Sequence, residues 1–374
     1  MKISKKDALT WFKFFASLPE EEELMIRQQE IVHAAFAQIE AAVDRRNEAL
    51  MQAIPHLRTL ENRTHFVGNP DRFPQGCRSC LFGTGLCAIR KTNRCNLACK
   101  FCYDYGELDN IPPIGKGMWE IGGTKFYDKD IDLLLSIQNR PTGISYVYLE
   151  PFMEIEQYYP VIRKFHEARV HQHLYTNGTL ADEESLKALG EAGLDEIRFN
   201  LGASNCSSRV IQNIRTAKKY IRSVGIETPM TPEFHEGFLQ KRQAVLSTGL
   251  DFINCAELHL NENNLSNYSG ENIYISRLGY ISPVWSRRLT LELMRVADDE
   301  GWDCVVHDCS NSTKFARDLN LRAREGGWFG ASSYACEFPR MPYEAFLPIL
   351  RDESFQFLSE EELPDGYRPG QLAL

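Results

Sequence analysis

From residue 89 onward, short apolar or β-branched runs alternate with stretches of helical periodicity, an order that few folds accept. The runs lie at 146–149, 170–175, 196–201, 226–230 and 256–260. Between them, residues 154–168, 180–193 and 207–225 have the length and period of crossover helices. Repeated β then α requires a parallel sheet, because each crossover returns the chain to the same edge in the same direction. The predicted class is α/β, with a partial or full parallel (β/α) barrel, and chemistry in such barrels sits at the C-terminal ends of the strands. The core is expected over 89–284. Ahead of it, apolar residues at helical spacing (Trp11, Phe14, Phe15, then Met25 to Val43) predict a helical N-terminal extension over 1–65. A Gly-, Pro-, Asn- and Cys-containing segment over 66–88 reads as irregular chain held by something other than a hydrophobic face. Residues 285–374 give one more helix and strand and then a covering tail.

Eleven cysteines are present, six of them between 77 and 102. Their odd number, with no export signal, argues for metal ligation or reactive thiols over a disulfide framework. Cys95, Cys99 and Cys102 are spaced Cx3Cx2C directly after the first apparent barrel strand. Three thiolates on one short loop suit three corners of a 4Fe-4S cubane, leaving the fourth iron open to a ligand. A zinc site, which wants a fourth Cys or His, is the competing reading and would belong to a non-catalytic binding or scaffold protein. Cys77, Cys80 and Cys87 form a second group, Cx2Cx6C, with the spacing of an auxiliary site for a second iron–sulfur cluster or zinc. Buried structural thiols are the plainer account of that group. His307 and Cys309 fall on one face of a strand, which makes Cys309 a candidate nucleophile, hydrogen-atom donor or thioether acceptor.

The loop Arg94-Cys95-Asn96-Leu97-Ala98-Cys99-Lys100-Phe101-Cys102-Tyr103, with aromatic residues before and after its third cysteine, resembles the signature of the radical S-adenosylmethionine (radical SAM) superfamily. The resemblance runs from about 89 to about 262. It implies a 4Fe-4S cluster on Cys95, Cys99 and Cys102 and S-adenosylmethionine (AdoMet) bound beside it, near Phe101 and Tyr103. The implied reaction is reductive cleavage of AdoMet to a 5′-deoxyadenosyl radical, which abstracts hydrogen from a substrate. Glu150 and Pro151 match the end of the family's Gly-Gly-Glu-Pro turn for the AdoMet amino group, while Tyr148 and Leu149 stand where the glycines do. Asn177 lies in a Thr-Asn-Gly turn similar to the family's third-strand turn. Asn200 and Ser204 follow the fourth strand at the ribose position, and Glu227 lies on the fifth. Plain turns and satisfied core polar residues are the competing readings of each.

A net charge of −9 argues against general nucleic-acid binding. No window offers the roughly 18 apolar residues of a membrane span, so the expected location is cytoplasmic. The expected partners are a small-molecule or peptide substrate and an electron donor such as flavodoxin or ferredoxin. Cobalamin-binding members usually place an α/β domain before the barrel, for which the opening residues are too short and too helical.

Overall fold

The computed structural model describes residues 41–61 except 42, 64–82, 86–111, 114–121, 124–136, 142–261, 263–275, 281–310, 313 and 356–357. The helices expected before residue 41, and most of the tail after 313, lie outside the described residues.

Seven parallel strands form the body of a nine-stranded sheet: β3 (Leu86–Ile89), β6 (Gly143–Tyr146), β7 (His171–Thr176), β8 (Glu196–Phe199), β9 (Ser223–Pro229), β10 (Phe252–Ala256) and β13 (Val305–Cys309). They stand side by side in that order, as expected of right-handed βα crossovers. At the far edge, β2 (Thr64–Val67) pairs antiparallel with β13, and β1 (Arg58–Leu60) pairs antiparallel with β2. Among the described residues β1 and β3 are the two edges, so the barrel they form is partial. A two-stranded hairpin, β4 (Met118–Ile121) and β5 (Thr124–Tyr127), stands apart, as does a small sheet of β11 (Asn272–Ile275), β12 (Ile281–Pro283) and β14 (Gln356–Phe357).

Among the described residues, 43–52 are helical, and the further helices are α1 (Gln75–Leu81), α2 (Ile131–Ser136), α3 (Tyr159–Glu167), α4 (Glu183–Ala192), α5 (Ser208–Ala217), α6 (Pro232–Leu246) and α7 (Val284–Asp299). Their starts are locally coded: the Asp182, Ser207 and Thr231 side chains accept backbone N–H groups of the first turns of α4, α5 and α6. Gly193, at φ 93°, closes α4 in the left-handed conformation.

Strand alternation builds two interiors. Leu174, Ile197, Phe199, Ile226, Ile253 and Val306 face the helices and form the main apolar core with residues such as Phe165, Leu189 and Met294. The alternate residues Ser145, His173, Arg198, Glu227, Asn254 and His307 line the concave side.

Three boundaries differ from expectation. Residues 58–67 and 284–309 add strands to the same sheet as the core, so neither 65 nor 284 divides it. Residues 66–82 and 86–88 are ordered by α1 and β3, because Leu81 and Cys77 pack with Phe66, Phe73, Phe252 and Val305. The sixth strand ends at Ala256, before most of the expected 256–260 run. Among the described residues, no helix is long and apolar enough to cross a membrane.

Candidate functional site

The Cx3Cx2C loop leaves β3 and lies against the turns that follow the next strands. Cys95, Cys99 and Cys102 are half-buried free thiols. Burial, reinforced by the negative influence of Cys102 and Cys95, pushes the Cys99 thiol up to about 12, and burial raises Cys95 and Cys102 as well. Three soft donors that oppose one another's ionisation are a set that a cationic metal group would relieve.

A single zinc would need a fourth ligand beside these three thiols. Tetrahedral zinc at about 2.3 Å from sulfur holds its thiolates roughly 3.8 Å apart. Among the described residues, the one trio whose ligand atoms lie within 4.8 Å of each other is His171, His173 and Glu196. Three thiols on one loop are the donor set that a cluster would take. The His171 trio is a poor cation site in turn, because the Arg198 guanidinium already occupies Glu196 in a buried ion pair.

Glu150 is fully buried. Its Oε1 accepts the Phe152 N–H at 3.0 Å and the Thr176 hydroxyl at 2.8 Å, and its Oε2 accepts the Asn177 N–H at 2.6 Å. Its own N–H donates to Arg94 O at 3.0 Å. Burial pushes the carboxyl up to about 7 against the opposing pull of these donors. This carboxylate, expected beside AdoMet, has protein donors on both oxygens and pins two turns to the start of the cysteine loop. Pro151, also buried, opens the short 3-10 turn that follows. Tyr148 and Leu149 take φ of 76° and 53°, so this turn keeps the left-handed backbone of the glycines it lacks.

Asn177 continues the chain of contacts. Its Nδ2 donates to Asn96 Oδ1 at 2.9 Å and lies 3.9 Å from Cys95 Sγ, while Asn96 Nδ2 donates to Thr179 Oγ1 at 2.8 Å. Asn200 Oδ1 accepts the Thr228 hydroxyl at 2.7 Å and the Ala203 N–H at 3.1 Å, and Ser204 Oγ donates to Leu201 O. These two residues shape the turn whose Ala203 carbonyl lies 4.0 Å from Cys99 Sγ. Phe101 and Tyr103 are held through their carbonyl oxygens by Asn264 and by Asn261 with Asn263.

Glu227 belongs to a second layer, inside the sheet. Its Oε2 accepts Arg198 Nη1 at 2.5 Å, and Arg198 also holds Glu196 and donates to the Tyr175 hydroxyl at 2.9 Å. Tyr175, Arg198 and Glu227 border a cavity of about 170 Å³ that α1 covers. A Cβ at Gly76 would stand 2.5 Å from His173 Nδ1, so only glycine lets α1 come this close. His173 Nδ1, Asn254 Oδ1 and both His307 ring nitrogens line this cavity without hydrogen-bond partners among the described residues. With neither His307 nitrogen partnered and burial pushing that imidazole down to about 3, a Cys309–His307 nucleophile pair is not formed. Cys309 still lines the cavity, at the end of β13.

The Cx2Cx6C group is not gathered. Cys77 and Cys80 lie one turn apart on α1 and border the cavity, whereas Cys87 belongs to the apolar core with Ile89, on the other face of β3. The expected three-thiol auxiliary site fails because strand alternation turns Cys87 away.

The most informative residues that sequence reasoning missed are Asn263, Asn264 and Asn267, which act with Asn261. Their signal was the density of Asn just beyond the sixth strand. Arg198, Asn254 and His173 were legible by period-two alternation once the strand register was known.

Comparison with known proteins matches residues 89–238 to the radical SAM superfamily model. A Methanocaldococcus jannaschii protein, provisionally named a glycyl-radical enzyme activating enzyme, is 28% identical over 205 residues, covering 52% of this chain and 53% of its own. The tungsten-containing aldehyde ferredoxin oxidoreductase cofactor-modifying protein of Pyrococcus furiosus is 24% identical over 185 residues, covering 43% of this chain and 48% of its own. The chain thus spans about half the length of these relatives. The crystal structure of Streptococcus suis SuiB bound to S-adenosylmethionine aligns with a TM-score of 0.41 at 13% identity, over 60% of this chain and 50% of that one. The matched segment begins on β3 and takes in the three-cysteine loop and the Glu150 and Asn177 turns, so the likeness to the radical SAM superfamily lies on the part of the chain that builds this site.

Proposed function

We propose that this protein binds a 4Fe-4S cluster on Cys95, Cys99 and Cys102, cleaves AdoMet reductively, and directs the resulting radical at a substrate C–H bond. The observation that carries the reading is the cysteine loop fastened to the C-terminal ends of parallel strands by Glu150 and Asn177, inside the family-matched segment. When bound, such a cluster supplies one electron to the AdoMet sulfonium and opens its carbon–sulfur bond to give the 5′-deoxyadenosyl radical.

The chain's own groups do the rest. Cys95, Cys99 and Cys102 would hold the cluster through three thiolates, and the site it would leave open would take the methionyl end of AdoMet. The left-handed Tyr148–Leu149 backbone shapes the turn beside it, and Asn200 and Ser204 set the edge nearest the ribose. The cavity under these turns takes the substrate group, and its unpartnered polar atoms favour a group that both donates and accepts hydrogen bonds. The name of the Methanocaldococcus jannaschii relative supports a polypeptide as the source of that group. A one-electron donor of the flavodoxin or ferredoxin class reduces the cluster.

Anaerobic reconstitution with iron and sulfide, then dithionite and AdoMet, tests the reading. The expected result is about four irons per chain and formation of 5′-deoxyadenosine. Zinc in place of iron, with no 5′-deoxyadenosine, would overturn it and restore the scaffold reading.

A further inference from the structure

The cysteine loop is held from two sides. Its first half is tied to the β6 and β7 turns: the Glu150 N–H donates to Arg94 O, and Asn177 and Thr179 hold Asn96. Its second half is held by the segment after β10, through side chains of one kind. Asn267 Nδ2 donates to Lys100 O at 2.9 Å, and Asn264 Nδ2 to Phe101 O at 3.1 Å. Asn261 and Asn263 both donate to Tyr103 O, at 3.0 and 2.7 Å. A carbonyl only accepts, so each contact requires the amide nitrogen.

We infer that these four asparagines form a clasp that positions the Cys99–Cys102 half of the loop, with Asn264 as its central positioning residue. The inference rests on the cluster reading above. Asn264 is wholly buried, and its Nδ2 also donates to His259 O at 3.1 Å, which joins the loop to the chain leaving β10. The clasp is stiffened from within: Asn264 Oδ1 accepts the Asn261 N–H at 2.8 Å, and Asn261 Oδ1 accepts the N–H groups of Asn263 and Asn264 at 3.2 Å. Asn suits this work because its amide both donates to the loop and accepts from its own turn.

The consequence is electrostatic as well as geometric. Lys100, Phe101 and Tyr103 are chain neighbours of Cys99 and Cys102, and their carbonyls place partial negative charge in the ligand loop. Four amide donors partly offset that charge, and hydrogen bonding of this kind contributes to the reduction potential of an iron–sulfur centre.

The test compares reconstituted wild type with Asn264→Ala, Asn264→Asp and Asn267→Ala by iron content, circular dichroism, cluster EPR and spectroelectrochemical potential. The clasp predicts a more negative midpoint potential and an altered EPR signal in each variant. Asn264→Asp should shift furthest, since it exchanges a donor for a carboxylate. Asn264→Gln, which keeps the amide, should recover part of the shift. If Asn264→Ala does not fold, Asn267→Ala decides, because it removes only the Lys100 contact. Potentials and spectra identical to wild type in folded, fully loaded variants would overturn the clasp. Failure of wild type itself to take up iron would instead overturn the cluster reading.

Discussion

Glu150 and Asn177, 27 residues apart in sequence, meet at the C-terminal ends of adjacent strands, where the Glu150 carboxylate accepts the Asn177 N–H at 2.6 Å. The same Asn177 places its side-chain amide 3.9 Å from Cys95 Sγ. A buried carboxyl is thereby connected to a candidate cluster ligand through one residue.

Replacing Glu150 with Ala orphans the N–H groups of Phe152 and Asn177 and the Thr176 hydroxyl, at a cost of about 2–4 kcal/mol. AdoMet affinity should fall with it, through the loosened turns. Calorimetry and AdoMet titration check both; unchanged stability would deny Glu150 its pinning role. The pH dependence has a definite sign. Its carboxyl stands at about 7 in the fold against 4.5 as a free group, so this residue's contribution is full below pH 4.5 and is lost as pH rises through 7. Glu150→Gln should flatten the stability profile over that window.

Cys95→Ala, Cys99→Ala and Cys102→Ala should each lower bound iron and abolish 5′-deoxyadenosine formation, since two remaining thiolates do not hold a cubane. Iron counting and product chromatography after anaerobic reconstitution are sufficient. Full activity in any of the three would remove the cluster assignment.

The chain states some of this openly and hides the rest for physical reasons. The helices over 159–167, 183–192 and 208–217 were legible because caps and apolar stripes are local properties. The cysteine loop was legible because its spacing is itself the ligand geometry. Glu150 was legible as a site residue, but its bonds to the Thr176 and Asn177 turn were not, because they join residues 26 and 27 positions apart in sequence. The failure of Cys87 to join Cys77 depends on strand register, and the reach of Asn264 to Phe101 spans 163 residues. Spacing carries neither fact.

Leu149→Gly should stabilise the fold by about 0.5–1 kcal/mol. Leu149 sits at φ 53°, a region that a side chain disfavours and glycine enters freely. Thermal unfolding monitored by circular dichroism should show a raised midpoint. A lowered midpoint would mean that Leu149 packing outweighs its backbone strain.

Acid should act through the buried imidazoles. Burial pushes His307 down to about 3 and His171 to about 4, and drives His173 well below the usual range, aided by the Arg198 charge. Depressed values in the fold mean that the unfolded chain takes up protons first, so their contribution is present above pH 6.5 and is lost as pH falls toward 3. Each should steepen the acid limb by up to about 1.4 kcal/mol per pH unit, and His307→Gln should reduce the slope by one such increment. An unchanged slope would mean that His307 is not buried neutral.

Gly76→Ala tests how α1 closes the cavity. A Cβ there would stand 2.5 Å from His173 Nδ1 and closer still to an Arg198 guanidinium nitrogen. Arg198 has little freedom to yield, because Glu196, Glu227 and Tyr175 hold it on three sides. α1 must therefore withdraw from the sheet, at about 2–3 kcal/mol. Cys77, whose Sγ accepts Asn254 Nδ2 at 3.6 Å, would move with it and become accessible. The expected outcome is a lower unfolding midpoint together with faster labelling of Cys77 by a thiol reagent, read by peptide mass spectrometry. If Gly76→Ala keeps the wild-type midpoint and labelling rate, α1 does not pack against Arg198 and His173, and the cavity is open from that side.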